Sequence, residues 1–338
     1  MSLHYESSSP VRLAVTLGDP KGIGPEVVAK ALGMAGAGGA TGAAADPARA
    51  GGSRDAIRVI GPVEFGGDFA GTCRFEAVKG GAAGLGPGEA AGLAIERAVE
   101  LALACEVDAV VTAPVHKPAL VAAGYPPGHT EMLMALAGVP RVGMLMCEEG
   151  VEGEPAKRVL LATIHVPLAR VPELVTTELL VTQTRLLGDA LRADWGIETP
   201  RIALCALNPH ASDEGMFGTE ERDVYEPAAA ALVGGAWRVT GPVPADTVFR
   251  RAFAGEFDAV VAPYHDVGMA AFKTAAFGRG VNVTIGLPFV RTSPDHGTAF
   301  DIAGRGVADP SSMIAAVGLA GRLAGGGAYS RVGACVRR

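Results

Sequence analysis

Eight short runs of apolar and β-branched residues recur along this chain, each bordered by glycine, proline, asparagine or histidine. Runs of this length, apolar on both sides, are typical of strands in a buried, mostly parallel sheet. Segments with apolar residues at helical spacing lie between them, as from Pro87 to Glu106 and from Pro172 to Gly196. Alternation of strand and helix predicts an α/β fold with helices on both sheet faces. The predicted strands are residues 13–17, 57–60, 108–113, 141–146, 158–164, 201–207, 258–264 and 281–286.

Length and charge indicate the number of domains and exclude some classes of partner. The 338 residues predict about two domains. With 29 Lys+Arg against 36 Asp+Glu, the net charge of −7 argues against a nucleic-acid partner or an anionic membrane surface. No uncharged apolar stretch is long enough for a membrane helix, and the first ten residues lack a secretory pattern. We therefore expect a cytoplasmic protein, and the five scattered cysteines, with no CxxC pair, predict reduced thiols.

Glycine and proline are unusually frequent, at 47 and 23 residues. One contribution is the Ala/Gly-rich segment 34–54, which has no apolar periodicity and which we expect to be a flexible surface loop of unassigned role. The other glycines and prolines cluster where strands end. There they favour tight turns that let a ligand approach the backbone.

Three histidines follow three different predicted strands: His165, His210 and His265. Carboxyl ends of parallel strands share one edge of a sheet, so these side chains are expected to converge. A single histidine in such a place is more often a hydrogen-bonded structural residue. Three at equivalent positions predict a site for zinc or a similar divalent ion, with coordination positions left for water or substrate. The spacing leaves open whether all three come from one subunit.

Other polar residues near strand ends suggest an anion site. His129 and Thr130 stand at the front of a predicted helix, where free backbone N–H groups attract anions, although an ordinary N-cap explains them equally well. Lys273, Asn282 and Arg291 flank the last predicted strand, and each alone would most often be a solvated surface residue. Residues 291–306 have the dense Gly, hydroxyl, His and Asp content of a binding loop. No GxGxxG, Walker or GxSxG motif occurs.

An ordered set of motifs, spanning the chain from about Leu13 to Gly318, resembles the 4-hydroxythreonine-4-phosphate dehydrogenase family of pyridoxal phosphate biosynthesis. The first and last motifs also resemble segments of isocitrate and isopropylmalate dehydrogenases, which bind NAD without a Rossmann loop. The motifs are GDPKGIGPE, TAPVHKPAL, GHTEML, ATIHVPL, LNPHASDEG, GPVPADT, YHDVGMAAFK and GVNVTIGLPFVRTSPDHGTAFDIAGRG.

The resemblance implies an architecture of two α/β/α domains with a central, mostly parallel sheet, similar to isocitrate and isopropylmalate dehydrogenases, and an active site in the interdomain cleft. Residues 1–127 and 288–338 would form a discontinuous NAD-binding domain. Residues 128–287 would form the domain for metal, substrate and dimerisation.

The resemblance also implies roles for individual residues. His165, His210 and His265 would bind a divalent metal (Zn, Mg or Co), with His265 reaching the site of the neighbouring subunit in a homodimer. The substrate would be bound by His129, Thr130, Lys273, Asn282 and Arg291. NAD, or NADP, would be bound by Asp295, His296, Gly297, Thr298, Ala299, Asp301 and Ile302. Lys273 or Asp246 is expected, from position only, to be the general acid/base.

The implied reaction is metal-dependent oxidation and decarboxylation of 4-phosphohydroxy-L-threonine to 3-amino-2-oxopropyl phosphate. Lys21 and Val267 depart from the usual GDPAGIGPE and HDQG patterns, so a dehydrogenase of 4-phosphothreonate or 4-phosphoerythronate is an alternative. A metal-dependent phosphohydrolase would also suit three histidines and an anion site, but it has no use for the DHGTAFDIAG loop. A non-catalytic phosphometabolite-binding protein would tolerate loss of the metal ligands, and all three are present.

Overall fold

The computed structural model describes residues 10–33, 56–79, 84–150 and 153–326. The Ala/Gly-rich segment 34–54, expected to be a flexible loop, lies outside these ranges. The strands are β1 (Leu13–Thr16), β2 (Ile57–Pro62), β3 (Arg74–Val78), β4 (Ala109–Thr112), β5 (Gly143–Glu148), β6 (Lys157–Leu161), β7 (Arg201–Cys205), β8 (Arg238–Val243), β9 (Ala259–Ala262), β10 (Val281–Ile285) and β11 (Val290–Pro294). The α-helices are α1 (Gly24–Ala31), α2 (Pro87–Leu103), α3 (Lys117–Ala122), α4 (His129–Ala137), α5 (Val171–Leu174), α6 (Thr177–Ala193), α7 (Glu226–Ala231), α8 (Ala245–Phe253), α9 (His265–Ala276) and α10 (Ser311–Gly326).

The chain divides into two compact units. The first comprises Met1–Pro140 with Leu287–Arg338, and the second comprises Arg141–Gly286. Helix α4 contacts α2 and belongs to the first unit. The predicted boundaries of the NAD-binding and metal-binding domains stay predictions.

The first unit contains five strands in the order β3-β2-β1-β4-β11, all parallel. Val15, at the centre of β1, is level with Val59 on one side and Val111 on the other, and all three are fully buried. Helix α2 packs on β1, β2 and β4, and α10 packs on β4 and β11. Because helices cover this sheet, apolar and polar residues do not alternate along its strands.

The second unit contains six strands in the order β10-β5-β6-β9-β7-β8. Strands β6, β9, β7 and β8 are parallel, whereas β5 is antiparallel to both β10 and β6. Helices α8 and α9 pack on this sheet, and the buried side chains of Phe249 and Phe272 lie in its core together with Met146 and Val159. The carboxyl ends of β6, β9 and β7 therefore lie side by side.

The predicted α/β fold is confirmed, and all eight predicted strands are present with small differences at their ends. Three further strands, β3, β8 and β11, were not predicted from the sequence. Strands β3 and β8 are edge strands, and their residues are mostly half-buried or exposed. Their sequences therefore lack the run of apolar residues by which the other strands were predicted. Strand β11 is buried throughout but reads VRTSP, a polar composition that is typical of a loop.

The helix predicted from Pro172 onward is in fact two helices. Val175 is extended, with φ −77° and ψ 93°, and ends α5. The Thr176 side chain then accepts a hydrogen bond from the backbone N–H of Leu179 at 3.2 Å, which caps α6. The break spans only Val175 and Thr176, and the apolar spacing alone did not reveal it.

The cysteines fulfil the expectation only in part. Cys73, Cys147 and Cys205 are free, and burial raises the pKa of Cys205 to about 12, which keeps that thiol protonated. Cys105 is disulfide-bonded, so the expectation of a reduced thiol is wrong for this residue. Pairing depends on which cysteines meet in space, which spacing along the chain does not report.

In the described ranges no helix is both long and apolar enough to cross a membrane.

Candidate active site

In the first unit the segments that follow β1, β4 and β11 meet at one edge of the sheet. The N–H of Asp19, after β1, donates to the carbonyl of Pro114, after β4, at 2.9 Å. A few residues later the N–H of Ile23 donates to the carbonyl of Thr298, after β11, also at 2.9 Å. The turn that leads into α1 is thus bonded to both neighbouring segments.

Two glycines of this turn are required by close approach of the backbone. Gly18 has φ +69°, and a Cβ there would lie 2.2 Å from the carbonyl oxygen of Pro114. A Cβ on Gly22 would lie 2.8 Å from the carbonyl oxygen of Thr298. Both distances are too short for any side chain. At these positions glycine allows three loops to pack together.

The residues predicted to bind a dinucleotide lie in one loop directly after β11. The side chains of this loop are half-buried or exposed. The N–H of Asp295 donates to Ser312 Oγ of α10 at 3.0 Å, and the ring of Phe300 stands edge-on to His116 at a centroid distance of 5.1 Å. The buried Nε2 of His296 has no hydrogen-bond partner within the described structure. The predicted residues of this loop are Asp295, His296, Gly297, Thr298, Ala299, Asp301 and Ile302.

The far end of this loop is fixed to α1 by an ion pair. Lys30 Nζ donates to Glu26 Oε1 at 2.9 Å and to the carbonyls of Gly306 and Ala308, each at 2.8 Å. Glu26 in turn accepts the N–H of Ala308 at 2.7 Å and that of Gly306 at 3.2 Å. Although partial burial raises it, these donors bring the pKa of Glu26 below its ordinary value. We refer to Glu26 and Lys30 as the clip.

A cationic site surrounds the start of α4 in the first unit. Arg291, on β11, is 2% exposed, and its Nη2 donates to Thr112 Oγ1 of β4 at 2.5 Å. His129, the first residue of α4, has a buried Nε2 with no hydrogen-bond partner in the described ranges. Burial, together with the positive charges of Arg291 and Lys117, holds the pKa of His129 well below its ordinary value. His129 is therefore neutral at pH 7, beside two cations.

Burial of Arg291 also changes the pKa of its guanidinium. Desolvation lowers the pKa of this guanidinium to about 9, so it remains charged at neutral pH but is destabilised by its surroundings. A buried cation, a neutral imidazole with an unused nitrogen and the backbone N–H groups at the start of α4 together suit an anion. The sequence did not reveal that Arg291 is buried, because β11 was not recognised as a strand.

In the second unit, two of the three predicted metal ligands lie side by side. The rings of His165, after β6, and His265, after β9, are 5.4 Å apart between centroids. Two imidazoles on one tetrahedral ion, with metal–nitrogen distances of about 2.1 Å, have centroids about 5 Å apart, so this pair fits a zinc-like ion. His265 Nδ1 lies 2.7 Å from Asp266 Oδ1. Because a carboxylate only accepts, Nδ1 carries the proton and Nε2 keeps the lone pair that a metal requires.

His210, the third predicted ligand, does not complete a cluster with them. It lies on an exposed turn after β7, next to the ring of Phe217 at 6.4 Å. Across the described part of a single chain, no group of three or more His, Cys, Asp or Glu residues is arranged to hold a metal ion. The resemblance had implied that His265 reaches the site of a neighbouring subunit. Within one chain its ring lies beside that of His165, and its role in a neighbouring subunit stays a prediction.

The remaining predicted residues of the second unit lie at separate places. Lys273 is half-buried on α9, two turns beyond His265, and Asn282 lies on β10 with a buried Oδ1 that has no hydrogen-bond partner in the described ranges. Asp246 is exposed in the first turn of α8, and this helix contacts the turn that carries His210. In the first unit, Thr130 is half-buried beside His129.

Thr112 was not singled out from the sequence. Thr112 and Lys117 lie after or at the end of β4, and the rule that polar residues at strand ends form sites selects both of them. Asp266 directly follows a predicted ligand, which is itself a signal for an orienting carboxylate.

Comparison with known proteins identifies the family. The sequence profile of the family described as "Pyridoxal phosphate biosynthetic protein PdxA" matches residues 64–320, most of the chain. The chain belongs to the PdxA family. The motif resemblance seen in the sequence is thereby confirmed.

Relatives in the PdxA family are similar over nearly their whole length. A 4-hydroxythreonine-4-phosphate dehydrogenase of Erythrobacter litoralis is 42% identical over 331 residues, covering 92% of this chain and 96% of the relative. A protein of Bradyrhizobium diazoefficiens, provisionally named D-threonate 4-phosphate dehydrogenase, is 43% identical over 348 residues, covering 94% and 98%. The crystal structure of the Klebsiella pneumoniae 4-hydroxythreonine-4-phosphate dehydrogenase superposes with a TM-score of 0.78 at 35% identity, covering 94% of this chain and 99% of that one. As a PdxA-family dehydrogenase, the chain is an oxidoreductase.

Proposed function

We propose that this chain oxidises and decarboxylates 4-phosphohydroxy-L-threonine to 3-amino-2-oxopropyl phosphate, with NAD as the electron acceptor and a divalent metal ion. The observation that carries this proposal is the cationic site at the start of α4, in which the buried guanidinium of Arg291 lies near a neutral His129 and Lys117. A phosphorylated acid carries negative charge that complements these cations. An overall charge of −7 makes such a local concentration of cations necessary.

The residues of the first unit bind and orient the substrate in this proposal. Arg291 donates to an anionic oxygen, and Thr112 fixes the direction of its guanidinium. The unused Nε2 of His129 and the hydroxyl of Thr130 supply further polar contacts at the helix start. In the second unit, Lys273 and Asn282 are proposed to contact the reacting end of the substrate. Lys273 or Asp246 is proposed to move the proton.

We propose that the divalent ion (Zn, Mg or Co) is held by His165 and His265 of one chain and by His210 of a second copy. Asp266 orients the His265 ring and keeps its Nε2 available as a ligand. A divalent ion held by these residues would supply Lewis-acid polarisation of a hydroxyl or carbonyl oxygen of the substrate. Two observations support a homodimer with shared sites: His210 is exposed, and the described residues of one chain contain no group of three metal-ligating side chains.

We propose that the loop Asp295–Ile302 binds NAD, or NADP, because its backbone is held by Ile23 on one side and by the clip on the other. NAD bound by this loop would supply the hydride acceptor that oxidation of the substrate's hydroxyl-bearing carbon requires. The clip and the Gly22 contact keep the loop in one conformation, which lowers the entropy cost of binding a dinucleotide.

A second candidate substrate is a phosphorylated four-carbon sugar acid, 4-phosphothreonate or 4-phosphoerythronate. The Bradyrhizobium relative, provisionally named D-threonate 4-phosphate dehydrogenase, is as similar to this chain as the Erythrobacter enzyme. Lys21 is exposed in the turn after β1, and Val267 follows the metal-site residues His265 and Asp266. A cation and an apolar side chain at these points suit a substrate without the amino group of a threonine derivative.

The test is a comparison of three substrates in one assay. NADH formation is followed with NAD, a divalent ion and 4-phosphohydroxy-L-threonine, 4-phosphothreonate or 4-phosphoerythronate in turn. We expect kcat/KM for the threonine derivative to exceed that for either sugar acid by about tenfold or more, as expected for a site built to hydrogen-bond one polar group. A reversed order supports the second candidate. Phosphate release without NADH from all three substrates contradicts both and favours a phosphohydrolase.

A further inference from the structure

The turn that carries His210 has a rare backbone conformation. Five consecutive non-glycine residues have positive φ angles between 45° and 71°, and these are His210, Ala211, Ser212, Asp213 and Glu214. For L-amino acids this left-handed region is disfavoured, because Cβ approaches the following carbonyl oxygen. Only His210 and Asp213 belong to the residue types that are enriched in this region. We call residues 210–214 the left-handed turn.

A single buried carboxylate holds this turn. Glu221, 3% exposed, accepts the N–H groups of Leu207 and Asn208 on Oε1, at 2.9 and 2.8 Å. Its Oε2 accepts Asn208 Nδ2 at 2.9 Å and the hydroxyl of Ser212. These donors lie on both sides of His210. One carboxylate therefore fixes the chain before the histidine and the middle of the left-handed turn after it.

Glu221 is kept charged by hydrogen bonds alone. In the described part of the chain it has no salt bridge, yet burial, which favours the protonated form, is outweighed by the donors of Asn208 and Ser212, so its pKa lies below the ordinary value. Glu221 begins a π-helical turn, Glu221–Tyr225, that ends on the fully buried Tyr225. The carboxylate is thus anchored in the core, while the turn that it holds is at the surface.

We propose that Glu221 is a positioning residue for the metal site: it keeps the left-handed turn in the shape that directs the exposed His210 ring outward toward the metal of a second copy. This inference rests on the proposed function, in which His210 is a metal ligand. A histidine on an exposed turn would otherwise lose conformational freedom when it binds the ion, and this loss would weaken binding. With Glu221 in place, the conformational freedom of this turn is lost when the chain folds and not when the ion binds.

A carboxylate is required because all four of its partners are donors. In Glu221→Gln the amide nitrogen would face at least one N–H or O–H donor, and that donor would be left buried without an acceptor. We expect affinity for the ion to fall about 10- to 100-fold, the usual effect of losing an outer residue that orients a metal ligand. Ser212→Ala removes one donor and leaves the charge in place, so a weakening of about two- to fivefold is expected.

The experiment measures Co²⁺ binding to the intact protein by equilibrium dialysis, with atomic absorption as the readout. The variants are Glu221→Gln, Ser212→Ala and His210→Ala. Glu226→Gln, the same substitution at an exposed position five residues away, is the matched control and should bind Co²⁺ as the wild type does. Circular dichroism checks that each variant is folded. Turnover of Glu221→Gln should return to within a few-fold of wild type at saturating Co²⁺, because His210 is misplaced rather than absent.

The outcomes separate this inference from the proposed function. Unchanged Co²⁺ affinity in His210→Ala would show that His210 is not a ligand, which removes the proposed metal site and this inference with it. Weakened binding in His210→Ala with wild-type affinity in both Glu221→Gln and Ser212→Ala would leave the metal site intact and overturn the positioning role. If Glu221→Gln does not fold, Ser212→Ala alone decides between these results.

Discussion

At the residue scale, the site depends on polar groups whose burial gives them unusual electrostatics. Arg291 is almost completely buried, and burial lowers its pKa from 12.5 to about 9. The unfolded chain therefore binds this proton more firmly than the folded chain does. The contribution of Arg291 to stability is smallest and constant below pH 9, and it rises as the pH increases through this window toward 12.5. An anion bound beside Arg291 offsets the free-energy cost of burying its charge.

We predict that inorganic phosphate stabilises the wild type through this residue. At pH 7.5, with phosphate at about ten times its Kd, differential scanning fluorimetry should show a rise in Tm of about 3 °C. The rise should be much smaller in Arg291→Met and unchanged in Arg170→Met, an exposed arginine of the second unit. Equal shifts in all three proteins would show that phosphate binds elsewhere.

A second prediction at this scale concerns the pH dependence of stability. The pKa of His129 lies well below 6.5 in the folded protein, so the unfolded state binds more protons below that value. Stability associated with His129 is therefore fully present above pH 6.5 and is lost as the pH falls toward the folded pKa. Urea denaturation between pH 7.5 and 5 should show a shallower loss for His129→Gln than for the wild type. Parallel curves would contradict a neutral, buried imidazole.

At the element scale, two local sets of hydrogen bonds stabilise the fold: one caps α6, and the other connects α1 to the loop after β11. Thr176 starts α6 by accepting the N–H of Leu179. Thr176→Ala should lower the free energy of unfolding by about 1 kcal/mol, whereas Thr176→Ser keeps the hydroxyl and should change it little. Urea denaturation measures both. We expect no change in kcat, and a fall in kcat without a change in stability would assign this residue to the site instead.

The clip, formed by Glu26 and Lys30, is the second of these, and it connects α1 to the loop after β11. Lys30→Met leaves the carboxylate of Glu26 with backbone donors only, so we expect a loss of about 2 kcal/mol in stability. The double variant Glu26→Gln/Lys30→Met should be less destabilised than the sum of the single changes. In steady-state kinetics, Lys30→Met should raise KM for NAD several-fold and leave KM for the phosphorylated substrate unchanged. A rise in both would indicate general loosening.

At the scale of the whole molecule, the proposed division of metal ligands between two chains makes a strong prediction. His210→Ala and His265→Ala proteins should each be inactive in the dehydrogenase assay. When they are unfolded, mixed and refolded together, one of the two sites in each mixed dimer keeps all three ligands, because each chain supplies what the other lacks. Activity should return to about a quarter of wild type for random pairing. No recovery would place the three histidines on one chain.

Much of the fold follows from sequence because strands buried by helices are apolar throughout. Predicted strands such as β1 and β9 consist of four consecutive apolar or small residues, a pattern that does not depend on which strands are their neighbours. Strand β11 was missed for the opposite reason. Its Arg291 and Thr292 are buried through hydrogen bonds to Thr112 and to the carbonyl of Ala316, partners that only the assembled sheet provides.

The sequence by itself determined the fold class, the strand ends at which chemistry is concentrated and, through eight ordered motifs, the family. These depend on local pattern and on residue identity at fixed spacing. Only the tertiary structure decided that His165 and His265 lie together while His210 lies apart, that Arg291 is buried, and that Glu221 holds a left-handed turn. Each of these is a contact between residues distant in sequence. Such contacts depend on how strands are ordered in a sheet, and periodicity carries no information about that order.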